Sequence, residues 1–159
     1  MGAKVYIETS VVSYYAARPS RDVVVAGHQQ ATQDFWTRLG SDFEPLVSAV
    51  VLAESGEEDA EQAEERLQAI RSFRVIQITP EAEGLARQII TGGGIPAEYP
   101  EDALHIALAT LGGVDFLATW NFSHINNPFT RMMIRQTVEN EGYVCPEIAS
   151  PDELLGEET

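Results

Sequence analysis

Four polar residues stand at places where parallel α/β proteins often carry out chemistry. Glu8 ends the strand-like stretch "KVYIETS", Glu54 follows a second apolar run, and Asp102 lies in the first turn of a predicted helix. Asn121 follows the apolar stretch "FLAT". In a parallel sheet, the strand ends and the helix starts that follow them lie on one edge. We therefore expect the three acids and the amide to converge on one cleft.

The chemistry that suits such a cleft is metal-assisted hydrolysis of a phosphodiester. Carboxylates gathered together repel one another unless a cation lies between them. Mg²⁺ takes oxygen ligands, and such an ion lowers the pKa of bound water and neutralises charge on a phosphodiester. Because the chain has 25 acidic residues, some acids fall at strand ends by chance. The spacing alone therefore leaves a plain surface role open.

The apolar pattern predicts strands and helices that alternate about five times along the chain. Predicted strands cover 3–8, 75–78, 116–119 and 143–145, and 46–51 is either strand or helix. Predicted helices cover 9–17, 24–39, 57–70, 80 to the "TGGG" stretch, 101–113, 129–140 and a short segment from 150. This alternation is typical of an α/β fold with one parallel sheet and helices on both faces. We predict a single domain over residues 1–149 and an acidic tail with a short helix over 150–159.

The overall charge limits how the chain could meet nucleic acid. With 25 acidic and 10 basic residues among 159, the formal net charge is -15. Nonspecific nucleic-acid binding depends on Lys and Arg, so contact must be confined to a local basic patch or helped by a partner. The single cysteine, Cys145, excludes an internal disulfide, and no apolar run reaches 18 residues. We expect a cytoplasmic protein without a membrane span.

Other motifs give weaker indications. The stretch Gly92–Gly94 lacks the Gly-Lys-Ser/Thr of a phosphate loop and is interpreted as a helix stop. No HExxH zinc motif occurs in the sequence. His105, one turn after Asp102, either forms a hydrogen bond near the cleft or packs in the core. Trp120 either stacks on a nucleobase or packs in the core.

The chain resembles the PIN-domain ribonucleases, and within them the VapC-like toxins of type II toxin–antitoxin pairs. Four segments carry the resemblance, in the order and at the spacing of that family: "VYIETSVVSYY", "LVSAVVLAE", "EDALHIALA" and "VDFLATWNFSHI". The resemblance implies a three-layer α/β/α, PIN-like fold with a roughly five-stranded parallel sheet. It also implies Mg²⁺ or Mn²⁺ as cofactor, RNA as substrate, a cognate antitoxin protein as partner, and a homodimer.

The resemblance assigns roles to the four polar residues. Glu8, Glu54 and Asp102 match the three acids of the family and are predicted to bind the metal, and Asn121 stands where the family commonly has a fourth acid. Glu8 is a departure because the first acid is usually Asp, and its extra methylene moves the carboxylate by about a bond length. Asn121 is a second departure because it removes one negative charge. We predict these four residues as the catalytic set.

Further residues are predicted to assist the catalytic set. Thr9 and Ser48 match the small polar supports of the family, and Thr119 is predicted to support the site as well. Arg131 and Arg135, at helical spacing beyond the same edge, are predicted to contact the RNA backbone.

Three functions remain open from the sequence. The first is a metal-dependent endoribonuclease of the toxin type, which hydrolyses RNA with metal-activated water. The second is a non-catalytic PIN-like module that binds a protein and keeps a degenerate acidic cleft. The third is a small-molecule phosphohydrolase that uses the same acids, since a charge of -15 repels long polyanions more than short ones.

Overall fold

The computed structural model describes residues 2–156, which form eight helices around five strands. The strands are β1 (Ala3–Ile7), β2 (Phe43–Ser48), β3 (Arg74–Ile76), β4 (Phe116–Ala118) and β5 (Glu147–Ala149). The helices are α1 (Thr9–Ala16), α2 (Val23–Trp36), α3 (Ala49–Ser55), α4 (Ala60–Ile70), α5 (Pro80–Thr91), α6 (Pro100–Leu111), α7 (Pro128–Asn140) and α8 (Pro151–Leu155). The strands lie in the order β3-β2-β1-β4-β5, and every neighbouring pair is parallel. The predicted three-layer α/β/α fold is confirmed.

The first strand of the chain lies at the centre of the sheet. Val5, Tyr6 and Ile7 in β1 are fully buried, as expected for a parallel strand with helices over both faces. α1 contacts α2, α3 and α4, α5 contacts α6 and α7, and α3 also contacts α6. β1 pairs with β2 on one side and β4 on the other, and the Glu8 amide donates to Ala118 O at 3.1 Å. The carboxyl ends of these three strands therefore meet at one edge.

Capping residues fix the helices that start at this edge. Ser48 ends β2, and its hydroxyl accepts a hydrogen bond from Val51 N, which starts α3 inside the apolar run 46–51. That run is therefore the end of a strand and the beginning of a helix. Thr79 caps α5 in the same way, and α5 ends at Thr91 before Gly93, whose φ is +83°. The predicted helix stop at "TGGG" is thus observed.

The last strand differs from the prediction. Residues 143–145 were predicted to form it, but the strand lies at Glu147–Ala149 and pairs with β4. The Tyr143 amide instead donates to Val138 O and closes the end of α7, and Val144 is 88% exposed. The apolar triplet is therefore part of a helix termination, and the chain joins the sheet only after Pro146.

Two predicted helices are shorter than expected. α2 ends at Trp36, so Leu39 lies beyond it, and Val24 at its start is 66% exposed. α4 begins at Ala60 because Glu58 and Asp59 have positive φ values, 54° and 26°, that helical residues cannot adopt.

The predicted tail contains α8, which packs on α2, and Arg38 Nη1 donates to Leu155 O at 2.6 Å. Residues 157–159 of that tail lie outside the described residues. The division into a domain over 1–149 and a tail stays a prediction. None of the helices within residues 2–156 has the length and apolar character that crossing a membrane requires.

Candidate metal centre

Three titratable side chains meet at the carboxyl edge of the sheet. Glu8, Glu54 and His105 each offer a ligand atom, and these atoms all lie within 4.8 Å of one another. Glu8 directly follows the central strand β1, Glu54 lies in α3, and His105 lies on the inward face of α6. Glu8 and Glu54 line an open pocket of about 400 Å³. The sequence predicts that Glu8 and Glu54 converge together with Asp102 and Asn121, and the group contains the first two of these four residues.

Glu8 is a buried carboxylate held by two hydroxyl groups. Only 5% of the residue is exposed, and its Oε1 accepts hydrogen bonds from Thr119 Oγ1 at 2.6 Å and from Ser10 Oγ at 2.5 Å. Ser10 Oγ in turn accepts from Trp120 N at 2.9 Å. These bonds tie the end of β1 to the residues that follow β4, so the orientation of Glu8 is fixed by two neighbouring strands.

Glu54 is held in the same manner from the other side of the pocket. Its Oε1 accepts from Thr9 Oγ1 at 2.6 Å and lies 2.7 Å from His105 Nε2. The side chain is 30% exposed, whereas that of His105 is 1% exposed. Glu54 is therefore oriented from within the protein and reached by solvent from the pocket.

The donor set fits a cation that takes oxygen ligands. Within residues 2–156, every hydrogen bond to the carboxylates of Glu8 and Glu54 ends on Oε1, so each carboxylate keeps Oε2 without a hydrogen-bond partner. Mg²⁺ is typically held by one or two protein carboxylates and keeps several waters. A buried and a partly exposed acid with one uncommitted oxygen each, in an open pocket, provide such a set.

A chain of hydrogen bonds runs inward from Glu54. His105 Nδ1 lies 2.7 Å from the Tyr6 hydroxyl, which lies 2.7 Å from Ser48 Oγ. Ser48 Oγ also accepts from Val51 N, so the predicted support residue acts on Glu54 through two intervening side chains. Ser48 therefore supports the site indirectly, whereas Thr9 and Thr119 contact the acids themselves.

The electrostatics of this chain favour an ion pair between Glu54 and His105. Burial alone would raise the pKa of Glu54, but the hydrogen bond and charge of His105, with the Thr9 hydroxyl, hold it below the ordinary 4.5. Burial alone would lower the pKa of His105, but the hydrogen bond to Glu54 and the charges of Glu8, Glu54 and Asp102 raise it above 6.5. Both shifts favour a protonated His105 whose Nε2 donates to Glu54 Oε1.

The phenol of Tyr6 stays protonated beside this pair. Burial raises its pKa well above 10, the charges of Glu8 and Glu54 act in the same direction, and the hydrogen bond to Ser48 opposes them. With His105 protonated, Nδ1 donates to Tyr6 and Tyr6 donates to Ser48. In each hydrogen bond between His105 and Ser48, the donor is then the group nearer to His105.

Asp102 and Asn121 meet at a different residue, His124. Asp102 Oδ2 lies 2.9 Å from His124 Nδ1, and Asn121 Oδ1 accepts from His124 N at 3.0 Å. Tyr99 covers the His124 ring with a centroid separation of 4.0 Å. Asp102 lies outside the group formed by Glu8, Glu54 and His105, although its charge acts on His105. The Asn121 amide shapes the turn that presents His124 to Asp102.

The sequence leaves the role of His105 open and assigns no role to His124. The sequence is compatible with His105 in the cleft or in the core, and the residue meets both descriptions, since it is buried and bonded to Glu54. The "WNFSHI" segment gave no signal for the His124–Asp102 pair beyond its position three residues after Asn121. The side chains of Arg131 and Arg135 line a separate groove beside β5.

Trp120 packs in the core. It is 6% exposed, its ring stacks on His28 at a centroid separation of 4.1 Å, and its Nε1 donates to Thr32 Oγ1 at 2.9 Å. One face is therefore covered and its single polar group is satisfied. Of the two interpretations of Trp120, the structure favours packing.

Comparison with known proteins supports the fold. No family model matches the sequence, and neither does any curated protein. The structure is similar to a chain in the crystal structure of VapBC2 from Rickettsia felis bound to a DNA fragment from their promoter, with a TM-score of 0.60 and 16% sequence identity. The match covers 92% of this chain and 98% of that chain. The PIN-like fold expected from the resemblance is thereby confirmed.

Proposed function

We propose that the protein is a metal-dependent endoribonuclease of the toxin type that hydrolyses RNA phosphodiester bonds in the cytoplasm. The observation that carries this proposal is the pair Glu8 and Glu54. Each carboxylate is fixed by two hydrogen bonds on Oε1 and keeps Oε2 uncommitted beside a shared pocket. Glu8 is buried, and a buried acid is costly unless it is paired or binds a cation. The PIN-like fold also supports the nuclease assignment.

Glu8 and Glu54 would hold Mg²⁺ or Mn²⁺, with Asp102 as the third acid. When bound, the ion would lower the pKa of a water molecule and offset charge that develops on the scissile phosphate. The protein residues keep the acids in position: Thr119 and Ser10 orient Glu8, and Thr9 and His105 orient Glu54. Because these partners are in place before a metal binds, little reorganisation is needed.

The surrounding residues have supporting roles in this proposal. His124 holds Asp102 at the start of α6, and Asn121 holds the turn that carries His124. Arg131 and Arg135 stay proposed contacts to the RNA backbone outside the pocket. Arg135 is 3.1 Å from Glu147 and 3.8 Å from Glu139, so RNA would have to compete with these acids for it.

An antitoxin protein and a second copy of the chain are the proposed partners. The net charge of -15 gives a reason for a protein partner with basic segments, since such segments would be attracted to the acidic surface. Co-purification with a basic partner protein and the mass in solution would test this part.

The test of the nuclease is metal-dependent cleavage of RNA by purified protein. With Mn²⁺ or Mg²⁺, we expect cleavage that EDTA abolishes and that Glu54→Gln and Asp102→Asn each reduce about 100-fold or more. Glu65→Gln, which removes one exposed charge from α4 outside the pocket, is the matched control and should retain activity. Cleavage that persists in EDTA and in both site variants would contradict the proposal.

A second candidate is a non-catalytic protein-binding module. Two acid–histidine pairs, Glu54–His105 and Asp102–His124, favour it because they satisfy acids of the cleft from within the protein. Calorimetric titration with Mn²⁺ separates the two functions. Heat of binding that disappears in Glu8→Gln supports the nuclease, whereas no heat at millimolar Mn²⁺ supports the module.

A further inference from the structure

One cation lies among the acids of the pocket. Arg66 of α4 lines the same 400 Å³ pocket as Glu8 and Glu54, together with Glu57 and Glu58. We infer that Arg66 binds a backbone phosphate of the RNA in this pocket. This inference rests on the proposed function and deepens it, because it names the residue that receives the substrate beside the metal.

Two carbonyl groups hold the Arg66 side chain in place. Its Nε donates to Ser55 O at 2.8 Å, and its Nη2 donates to Glu57 O at 2.5 Å. A guanidinium has five N–H donors in a rigid planar fork, so three remain, two of them on Nη1. Because the fork is already anchored, binding a phosphate would freeze little additional side-chain motion.

The charge of Arg66 is not neutralised by the acids around it. Within residues 2–156, no carboxylate oxygen lies within 4.0 Å of its guanidinium nitrogens, although four glutamates line the pocket. Both groups that it contacts are neutral carbonyls. Arg135, by contrast, lies within that distance of two glutamates. Arg66 is therefore a partly buried cation that keeps its capacity for an anion.

The chemistry of the pocket indicates which anion this is. A cation held by Glu8 and Glu54 would attract one phosphate oxygen, and the free guanidinium donors would attract oxygens of the same or the next phosphate. Arg recognises phosphate with paired hydrogen bonds and is preferred where this geometry matters. The open, polar shape of the pocket suits a charged backbone more than an apolar ligand.

A purely structural role for Arg66 makes a different prediction. The side chain also ties the C-terminal end of α3 to the loop with Glu58 and Asp59, whose φ values are positive. If this were its only role, substitution would lower stability without changing how RNA binding depends on salt. The experiment therefore needs a readout of phosphate contact.

The experiment measures binding of RNA without cleavage. Fluorescence anisotropy would follow a fluorescein-labelled pool of random 20-nucleotide RNAs, with Ca²⁺ as the cation, at NaCl concentrations from 25 to 250 mM as a proposed range. We expect Arg66→Gln to weaken binding roughly tenfold. It should also make the slope of log K against log salt shallower by about 0.7, the change expected when one phosphate contact to a single strand is lost. Arg66→Lys should retain most of the salt dependence and lose part of the affinity.

Arg71→Gln is the matched control. It removes the same charge at the end of the same helix, but Arg71 lines a different groove. Arg71→Gln should leave both affinity and salt dependence near those of the wild type. Circular dichroism of each variant would show whether it is folded, and if Arg66→Gln is not, Arg66→Lys carries the comparison with the wild type.

The outcomes separate this inference from the proposed function. If the wild type binds and cleaves RNA but Arg66→Gln and Arg66→Lys match Arg71→Gln in affinity and salt dependence, the phosphate role of Arg66 is wrong and the nuclease stands. If the wild type neither binds nor cleaves RNA, the proposed function fails and this inference fails with it.

Discussion

At the scale of single residues, the site depends on which partner each carboxylate has. Glu8 and Glu54 could be predicted from the sequence because each follows a buried run that ends at the same sheet edge. Their hydroxyl partners were predicted only in part: Thr9 and Thr119 were, and Ser10 was not. The pairs with His105 and His124 join residues 51 and 22 positions apart, and no local pattern encodes such contacts.

The ion pair between Glu54 and His105 should give a defined pH dependence. The pKa of His105 is raised, so its stabilising contribution is complete below pH 6.5 and is lost as the pH rises through the folded-state pKa. The pKa of Glu54 is lowered, so its contribution is complete above pH 4.5 and is lost as the pH falls through the folded-state pKa. The coupling should therefore be largest between pH 4.5 and 6.5.

A double-mutant cycle with Glu54→Gln and His105→Asn, measured by urea unfolding across the pH range, gives this coupling energy directly. A coupling that stays constant from acid to alkaline pH would contradict the ion pair.

Replacing Glu8 with the shorter acid aspartate should weaken this site. Glu8→Asp shortens the side chain by one methylene and withdraws Oε1 from the hydroxyls of Ser10 and Thr119. We expect the affinity for Mn²⁺ to fall about tenfold. Calorimetric titration measures it, with Glu65→Asp as the control. An unchanged or tighter affinity would show that the two hydroxyl contacts do not position Glu8.

At the scale of elements, strong periodicity and capping signals predicted the structure well, and the last strand was the exception. α5 could be predicted in detail because Thr79 and Pro80 mark its start and glycines mark its end. β5 was misplaced because the apolar residues before it, which resemble a strand in the sequence, lie at the end of α7. Its position depends on pairing with β4, which is a tertiary contact.

Two glycines in or after helices should respond to alanine in opposite directions. An added Cβ at Gly27 in α2 would meet nothing within 4 Å, so Gly27→Ala should raise the free energy of unfolding by about 0.5–1 kcal/mol. An added Cβ at Gly94 would lie 2.9 Å from Ile134 Cγ1, between α5 and α7, so Gly94→Ala should lower it by about 1–3 kcal/mol.

Urea unfolding of both variants beside the wild type tests this contrast. Equal changes of the same sign in the free energy of unfolding would contradict the role of helix propensity at Gly27 and of close packing at Gly94.

At the scale of the whole molecule, the excess of negative charge opposes folding. A net charge of -15 produces self-repulsion that salt screens, since the Debye length falls from about 30 Å at 0.01 M to about 4–5 Å at 0.5 M. We expect the free energy of unfolding to rise by about 1 kcal/mol between these salt concentrations. Urea unfolding in both buffers measures the change.

The variant Glu64→Gln/Glu65→Gln is the comparison for this effect, because it removes two exposed charges from α4. Its dependence on salt should be smaller than that of the wild type. An equal dependence would show that the salt acts through something other than net charge.

The central position of β1 has a consequence for synthesis on the ribosome. Glu8 is translated early, but the hydroxyl that orients it belongs to Thr119, 111 residues later, and His105 also follows long after Tyr6. A nascent chain that stops before Thr119 therefore has its first acid but not the contacts that arrange it. The group of acids therefore becomes ordered only once Thr119 has been translated and has packed against the end of β1.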